Sequence, residues 1–288
     1  MDFALVVGIE ILNAVAGLML ISIGLAIIFG MMRIINLAHG EFLMLGGYAA
    51  ITATKAGVNI WIAMLVVAPL VVGAIGIVVE RCIVRFLYGR MVDTMLATWG
   101  LSLLLVGLVT TIFGNTTAGI SSPLGPVLIG TYTVSLYTLF IVFVAAMVAL
   151  GLWLLLKKTR FGLIARGTMQ NANMAAGLGI SPPRVYMVTF GIGAALAGLA
   201  GGVLAPITGV VPTIGVAYVA KAFITVIGGG ASILTGTVSA SALFGTVNQL
   251  ATFATTPVIG EVALLLAAIV LIRLLPQGIT DRFFRRSL

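Results

Sequence analysis

Five stretches of more than 20 residues in this chain carry no Lys, Arg, Asp or Glu: 11–32, 56–79, 94–156, 185–220 and 222–260. Charged residues are 8% of the sequence, against about 25% in an ordinary soluble domain. A water-soluble fold needs polar surface to face solvent, and these stretches cannot supply it. A bilayer removes the need. Backbone polar groups in lipid must be paired internally, so the spans are helices or a closed barrel. The apolar runs are continuous, whereas barrel strands alternate over about 10 residues, so helices are expected. The expected fold class is all-α: a polytopic membrane helical bundle of eight to nine spans, with one short broken or re-entrant segment.

A span needs about 20 mostly apolar residues. That rule places spans near 5–29, 35–54, 60–80, 94–113, 136–156, 186–206, 215–230, 233–253 and 257–275. They form a single transmembrane domain over 1–288, with a cytoplasmic loop at 157–185. No basic residue precedes the first apolar run and no small-residue cleavage site follows it, so the first segment is expected to be a retained span. The seventh is short and ends in glycine. Cys82 is the single cysteine; no intrachain disulfide can form, and an inert thiol at a cytoplasmic helix end is expected.

The net charge is +8. With nine crossings, Arg33, the group Arg81, Arg85 and Arg90, the group Lys157, Lys158, Arg160, Arg166 and Arg184, and the group Arg273, Arg282, Arg285 and Arg286 fall on one side. These are 13 of the 15 basic residues; Lys55 and Lys221 are the others. The positive-inside rule puts that side in the cytoplasm, the N-terminus outside and the C-terminus inside. The basic balance therefore reports topology and not nucleic-acid binding.

Polar residues inside spans need a reason. Glu41 lies about 10 Å beyond Arg33 at 1.5 Å per residue. On a continuous helix, Asn36 and His39 would be neighbours and Glu41 would point elsewhere. Hydrogen bonds holding a helix start, a His39–Glu41 proton relay and a place on a substrate path all fit this segment. Lys221 either snorkels to the interface or meets a carboxylate; pairing with Glu41 would need broken helices. Glu10 and Glu261 are expected at solvated outer helix ends. The small residues Ala194, Gly198 and Gly202, spaced by four, let another helix approach closely, either as static packing or as a sliding interface. Gly228, Gly229 and Gly230 break a helix, which at membrane depth is tolerated only inside protein or beside a cavity.

The inner loop suits one short helix over 163–176, ended by Gly177 and Gly179 and kept from resuming by Pro182 and Pro183. Such a helix either docks in a groove on a soluble partner or lies in the membrane interface. No phosphate-binding G-x-x-x-x-G-K-[ST] motif occurs, so any nucleotide chemistry belongs to another polypeptide. Neither a catalytic carboxylate pair nor a metal-ligand cluster nor a nucleophile–base constellation is apparent.

The segment Gly24 to Phe42, above all Asn36-Leu37-Ala38-His39-Gly40-Glu41, resembles the hallmark of the branched-chain amino acid ABC permeases. Asn171, Ala175, Gly179, Ile180 and Arg184 follow the order of that family's coupling loop. Phe190 through Gly202, Lys221-Ala222-Phe223, Gly228-Gly229 and Pro276-Gln277-Gly278 also match, so the resemblance spans nearly the whole chain. The chain differs from longer members in its short, uncharged 114–135 loop.

The resemblance implies a non-enzymatic importer subunit that works by alternating access. Its implied partners are a paralogous permease subunit, two cytoplasmic ATPases that bind the ATP and Mg, a periplasmic solute-binding protein and membrane lipid. No cofactor or metal is expected on the chain itself, and the location implied is the bacterial inner membrane. Candidate substrate-path residues are Asn36, His39, Glu41, Lys221, Phe223, Gly228 and Gly229. Candidate coupling residues are Arg166, Asn171, Ala175, Gly177, Gly179, Ile180 and Arg184. Close relatives of the family carry urea or short-chain amides, which is the alternative substrate class. An ATP-independent secondary transporter and a passive channel are the rival modes.

Overall fold

The computed structural model describes residues 2–130, 132–230 and 232–280. Eleven helices account for most of them: α1 (Asp2–Met32), α2 (His39–Lys55), α3 (Ile60–Cys82), α4 (Met91–Phe113), α5 (Leu136–Lys158), α6 (Arg160–Gln170), α7 (Ala172–Gly177), α8 (Pro182–Thr208), α9 (Ile214–Gly229), α10 (Ile233–Ala254) and α11 (Pro257–Leu274). The membrane-bundle architecture is the expected one. Arg282, Arg285 and Arg286 lie outside the described residues.

By length and apolar composition alone, fewer helices qualify as complete crossings than the eight to nine expected. Among the described residues, α1, α3, α4, α5, α8 and α11 are each long and apolar enough to cross a membrane. The pair α9 and α10 is bent by 113° and passes that test only as one unit, giving up to seven. The segment expected at 35–54 yields α2, of 17 residues, about 26 Å long at 1.5 Å per residue. Its first turn is lost because residues 33–38 leave the helix.

Local chemistry explains the other irregularities. Inside α3, Ala63–Val67 forms a wide π turn in which Ala68 N–H reaches the Ala63 carbonyl. Pro69 follows at once and has no N–H to continue the regular ladder. The uncharged 114–135 stretch contains a two-stranded antiparallel hairpin, β1 (Pro126–Ile129) and β2 (Tyr132–Ser135), with Val127 opposite Val134.

The described residues divide into two compact units. One draws on Ile23–Ile120 and Leu150–Ala220. At its centre α8 is packed on two sides through small residues. Towards α3, a Cβ on Gly198 would strike Val72 and the Ala68 carbonyl, one on Gly202 would meet Ala68 and Met64, and one on Gly76 would strike Ala194. Ala194, Gly198 and Gly202 thus form the expected close-approach stripe. On another side, a Cβ on Gly193 would hit Ile28 and the Gly24 carbonyl of α1, and one on Gly201 the Leu43 carbonyl of α2. Phe42 and Phe190 meet edge to face, ring centres 5.9 Å apart.

The other unit draws on Met1–Ser22, Ser121–Ala149 and Lys221–Leu288. Its core holds Leu18, Ala240, Phe244, Leu264, Ala268 and Leu271. The glycine break closes here. Gly230 adopts φ 84°, and a Cβ there would meet Gly278 and Thr280. Thr280 Oγ1 donates to the Gly229 carbonyl at 2.7 Å and accepts from Ser232 N–H at 3.3 Å. The Pro276-Gln277-Gly278 motif therefore has a structural role, since Gly278 lets the chain lie directly on Gly230.

Candidate functional site

The Asn36–Glu41 segment is not a continuous helix. Arg33 has φ 52°, a left-handed conformation costing a non-glycine residue about 1–2 kcal/mol, and α1 stops there. The non-helical backbone that follows still needs hydrogen-bond partners inside the membrane, and Thr98 on α4 supplies them. Leu37 N–H donates to Thr98 Oγ1 at 3.1 Å, and the Thr98 hydroxyl faces the Ile35 carbonyl at 3.3 Å. Asn36 Oδ1 accepts from Ala38 N–H at 3.1 Å, a local turn that launches α2. The helical-wheel relation expected between Asn36 and His39 is replaced by this turn.

Asn36, His39 and Glu41 are all fully buried. The His39 ring lies beside Gly24 of α1, so close that a Cβ at Gly24 would come within 3.1 Å of Cε1. Glu41 is placed differently. A Cβ at Gly215, in the first turn of α9, would lie 2.8 Å from Glu41 Oε1. Ser102 of α4 presents its hydroxyl to the carboxyl, yet neither carboxyl oxygen completes a hydrogen bond. Asn36 Nδ2 and the Tyr48 hydroxyl are likewise buried without partners. Unspent hydrogen-bonding capacity of this kind is costly inside a protein.

Lys221 does meet a carboxylate, but not that of Glu41. Its Nζ is 2.5 Å from Glu261 Oε1, between α9 and α11. Of the alternatives open for Lys221, a carboxylate partner is the one found, and it is Glu261. Glu261 is exposed in the first turns of α11, and it is ion-paired as well. The bend at the end of α9 and the approach of α11 bring together residues 40 positions apart, a relation no local pattern encodes. Phe223 is half-buried. Gly228 lies against Phe244 and Leu271, and Gly229 against Gly236 of α10.

The 157–185 loop is two helices where one was expected, because Asn171 interrupts it. Asn171 has φ −155° and ψ 99°, and its Oδ1 accepts from Met174 N–H at 2.9 Å. A side-chain acceptor at this position starts a helix, so Asn171 ends α6 and caps α7 instead of riding through. Thr159 does the same for α6, accepting from Gly162 N–H at 3.1 Å. The end of α7 is a Schellman motif: Gly179 has φ 84°, its N–H bonds to the Ala176 carbonyl, and Ile180 N–H reaches back to Ala175. Ala175 is buried, whereas Asn171, Gly177, Gly179 and Arg184 are exposed and Ile180 is half-buried. Arg166 is half-buried with Nη1 unpartnered. Leu163, Met174 and Leu178 are 66%, 68% and 78% exposed, so the loop displays large apolar side chains beside its basic ones.

One buried group carries no signal in the sequence. Glu80, 1% exposed, accepts a hydrogen bond from the Tyr88 hydroxyl. Tyr88 packs edge to face on Tyr186 in the first turns of α8, ring centres 5.0 Å apart. A glutamate directly before Arg81 at a helix end reads as solvated; only the return of residues 84–88 over α3 covers it.

Known proteins resemble this chain along most of its length. The family described as branched-chain amino acid transport system / permease component matches residues 8–275. The high-affinity branched-chain amino acid transport system permease protein LivH of Escherichia coli (strain K12) is 32% identical over 237 residues, covering 76% of each chain. The corresponding BraD of Pseudomonas aeruginosa is 31% identical over 242 residues, also 76% of each. A probable LivH of Methanocaldococcus jannaschii is 28% identical over 230 residues, 77% of this chain and 72% of that one. Among solved structures, PsaBC from Streptococcus pneumoniae in complex with Fab covers 97% of this chain and 94% of its own, with a TM-score of 0.51 and 13% identity. That likeness concerns the fold alone.

Proposed function

This chain belongs to the branched-chain amino acid transport permease family, and on that premise we propose that it is the membrane conduit of an importer for branched-chain amino acids, driven by ATP hydrolysis on a separate polypeptide. A paralogous permease completes the conduit, two ATPases grip the inner face, and a solute-binding protein delivers substrate outside. The chain carries out no bond chemistry. It alternates between two packings whose relative stability the ATPases shift.

The observation that carries this reading is the construction of residues 159–184. Two short capped helices, closed by a Schellman turn, hold Met174 and Leu178 outward. Apolar side chains on a rigid short helix suit insertion in a groove of a soluble partner. Ala175, buried, ties α7 to the rest of its unit, so a push on the helix is transmitted.

Orientation follows from the cations. Arg33, Arg81, Arg85, Arg90, the 157–184 group and Arg273 share one side if α2, about 26 Å long, crosses with its neighbours while α9 and α10 enter and return. A bend of 113°, beyond a right angle, reverses part of the advance made by α9. The N-terminus then faces out and the C-terminus the cytoplasm of a bacterial inner membrane. The substrate path includes Asn36, His39, Glu41, Lys221, Phe223, Gly228 and Gly229.

The test is reconstitution of the chain with its co-purifying ATPase and binding protein. ATP-dependent leucine uptake is expected, outcompeting urea and acetamide. Replacing Ala175 or Gly179 with a bulky residue should break the link between ATP hydrolysis and uptake while membrane insertion persists. Uptake that survives ATP removal but collapses with the ion gradient would overturn the reading.

A further inference from the structure

Tyr88 joins three helices. α3 ends at Cys82, and Val84–Leu87 folds back beside it as a 3₁₀ turn with Val84 fully buried. Tyr88 follows. Its hydroxyl donates to Glu80 of α3, which is buried and has Oε2 without a partner. Its ring packs on Tyr186 in the first turns of α8, edge to face. A buried carboxyl that loses its donor is left unsatisfied, which is costly, so this contact resists opening.

The start of α4 moves with Tyr88. Gly89 turns the chain at φ 78°. The Thr94 hydroxyl, in the first turn of α4, faces the Leu87 and Arg90 carbonyls at 3.1 and 2.9 Å. Residues 84–94 are thus one hydrogen-bonded piece, anchored on α3 and α8 by the Tyr88 side chain.

The two sides of that anchor are packed differently. α3 and α8 are locked by small residues, with Gly76 on Ala194 and Gly73 on Ala195. α4 packs chiefly on the 84–87 turn and on α2, and its Leu96, Trp99, Leu103 and Leu108 are exposed. In its middle it reaches the unit through hydroxyls, Thr98 serving Ile35 and Leu37 and Ser102 facing Glu41. Such a helix can tilt without breaking glycine-mediated packing. On the other side, the 157–185 loop runs through Gly179 and Pro182 straight into the α8 turns that carry Tyr186.

We propose that Tyr88 is a positioning residue of the transport step: held between Glu80 and Tyr186, it makes α4 follow α8, so that displacement of the 157–185 loop reaches Thr98, Ser102 and the Asn36–Glu41 segment. The role rests on the importer reading above and adds to it the contact by which the loop's movement enters α4.

The test uses the complex reconstituted with its ATPase and binding protein, and reads leucine moved per ATP hydrolysed. Tyr88→Phe keeps the ring on Tyr186 and removes only the hydroxyl. It should lower that ratio about fivefold, while the amount of assembled complex and the rate of ATP hydrolysis stay near wild type. Glu80→Gln, whose side-chain carbonyl still accepts, should keep most of the ratio, whereas Glu80→Leu should fall as far as Tyr88→Phe. The double variant Tyr88→Phe, Glu80→Leu should be no worse than either single one, as expected of two residues acting through one contact. A Tyr88→Phe complex with the wild-type ratio overturns the positioning role and leaves the importer standing. So does a Tyr88→Phe chain that fails to assemble, since the contact would then be structural only. A wild-type complex that imports no leucine overturns the importer reading itself.

Discussion

The two sides of α2 are built on opposite principles. Towards α8, glycine meets glycine: Gly46 lies on Gly198, and Gly201 on the backbone of Leu43. Nothing there can be added without collision. Towards α4, the contacts are Thr98, Ser102 and the stacking of Tyr48 on Phe113 at 4.6 Å, and buried polar atoms are left unsatisfied. In lipid, helices gain little from apolar burial and associate through close packing and interhelical hydrogen bonds. The first side uses close packing to fix position. The second leaves hydrogen-bonding capacity unused.

The largest effect should come from breaking the close-packed side. Gly201→Val drives a branched side chain into the Leu43 carbonyl, and we expect a loss above about 4 kcal/mol, read as failure to accumulate folded protein in the membrane. Thr98→Val removes the hydroxyl that serves Leu37 N–H and Ile35 O. The expected cost is about 2 kcal/mol, measured by thermal unfolding in detergent.

Asn171→Ala deletes the cap of α7. A loss of about 1 kcal/mol is expected, with a larger fall in coupling of ATP hydrolysis to uptake than in stability. The smallest effects separate two neighbouring glycines. Gly179→Ala should destabilise by about 1 kcal/mol because φ is 84°. Gly177→Ala, helical and with open space at the Cβ position, should stabilise by about 0.5 kcal/mol. Equal effects at the two positions would contradict the Schellman assignment.

Much of this is legible in the chain itself. The charge-free runs announce a helical bundle, the Gly228–Gly230 run announces a break, and Gly179 with Pro182 and Pro183 announces the end of the inner loop's helix. Asn171 is a harder case, because an asparagine inside a helical stretch and one at a helix start look alike in sequence; the hydrogen bond from Met174 N–H distinguishes them. Residues 35–38 read as helical because their composition is largely apolar, whereas Thr98, 61 residues from Leu37, makes a non-helical path tolerable.

The order of residues alone thus settles whatever depends on solvent and on neighbours within a turn or two: that the chain lives in lipid, where its cations gather, and which glycines permit close approach. The partnerships of buried polar groups are decided by tertiary structure. Lys221 with Glu261 and Tyr88 with Glu80 depend on segments that folding brings together. Hydrogen bonds and ion pairs act over about 3 Å, and sequence separation does not report that distance.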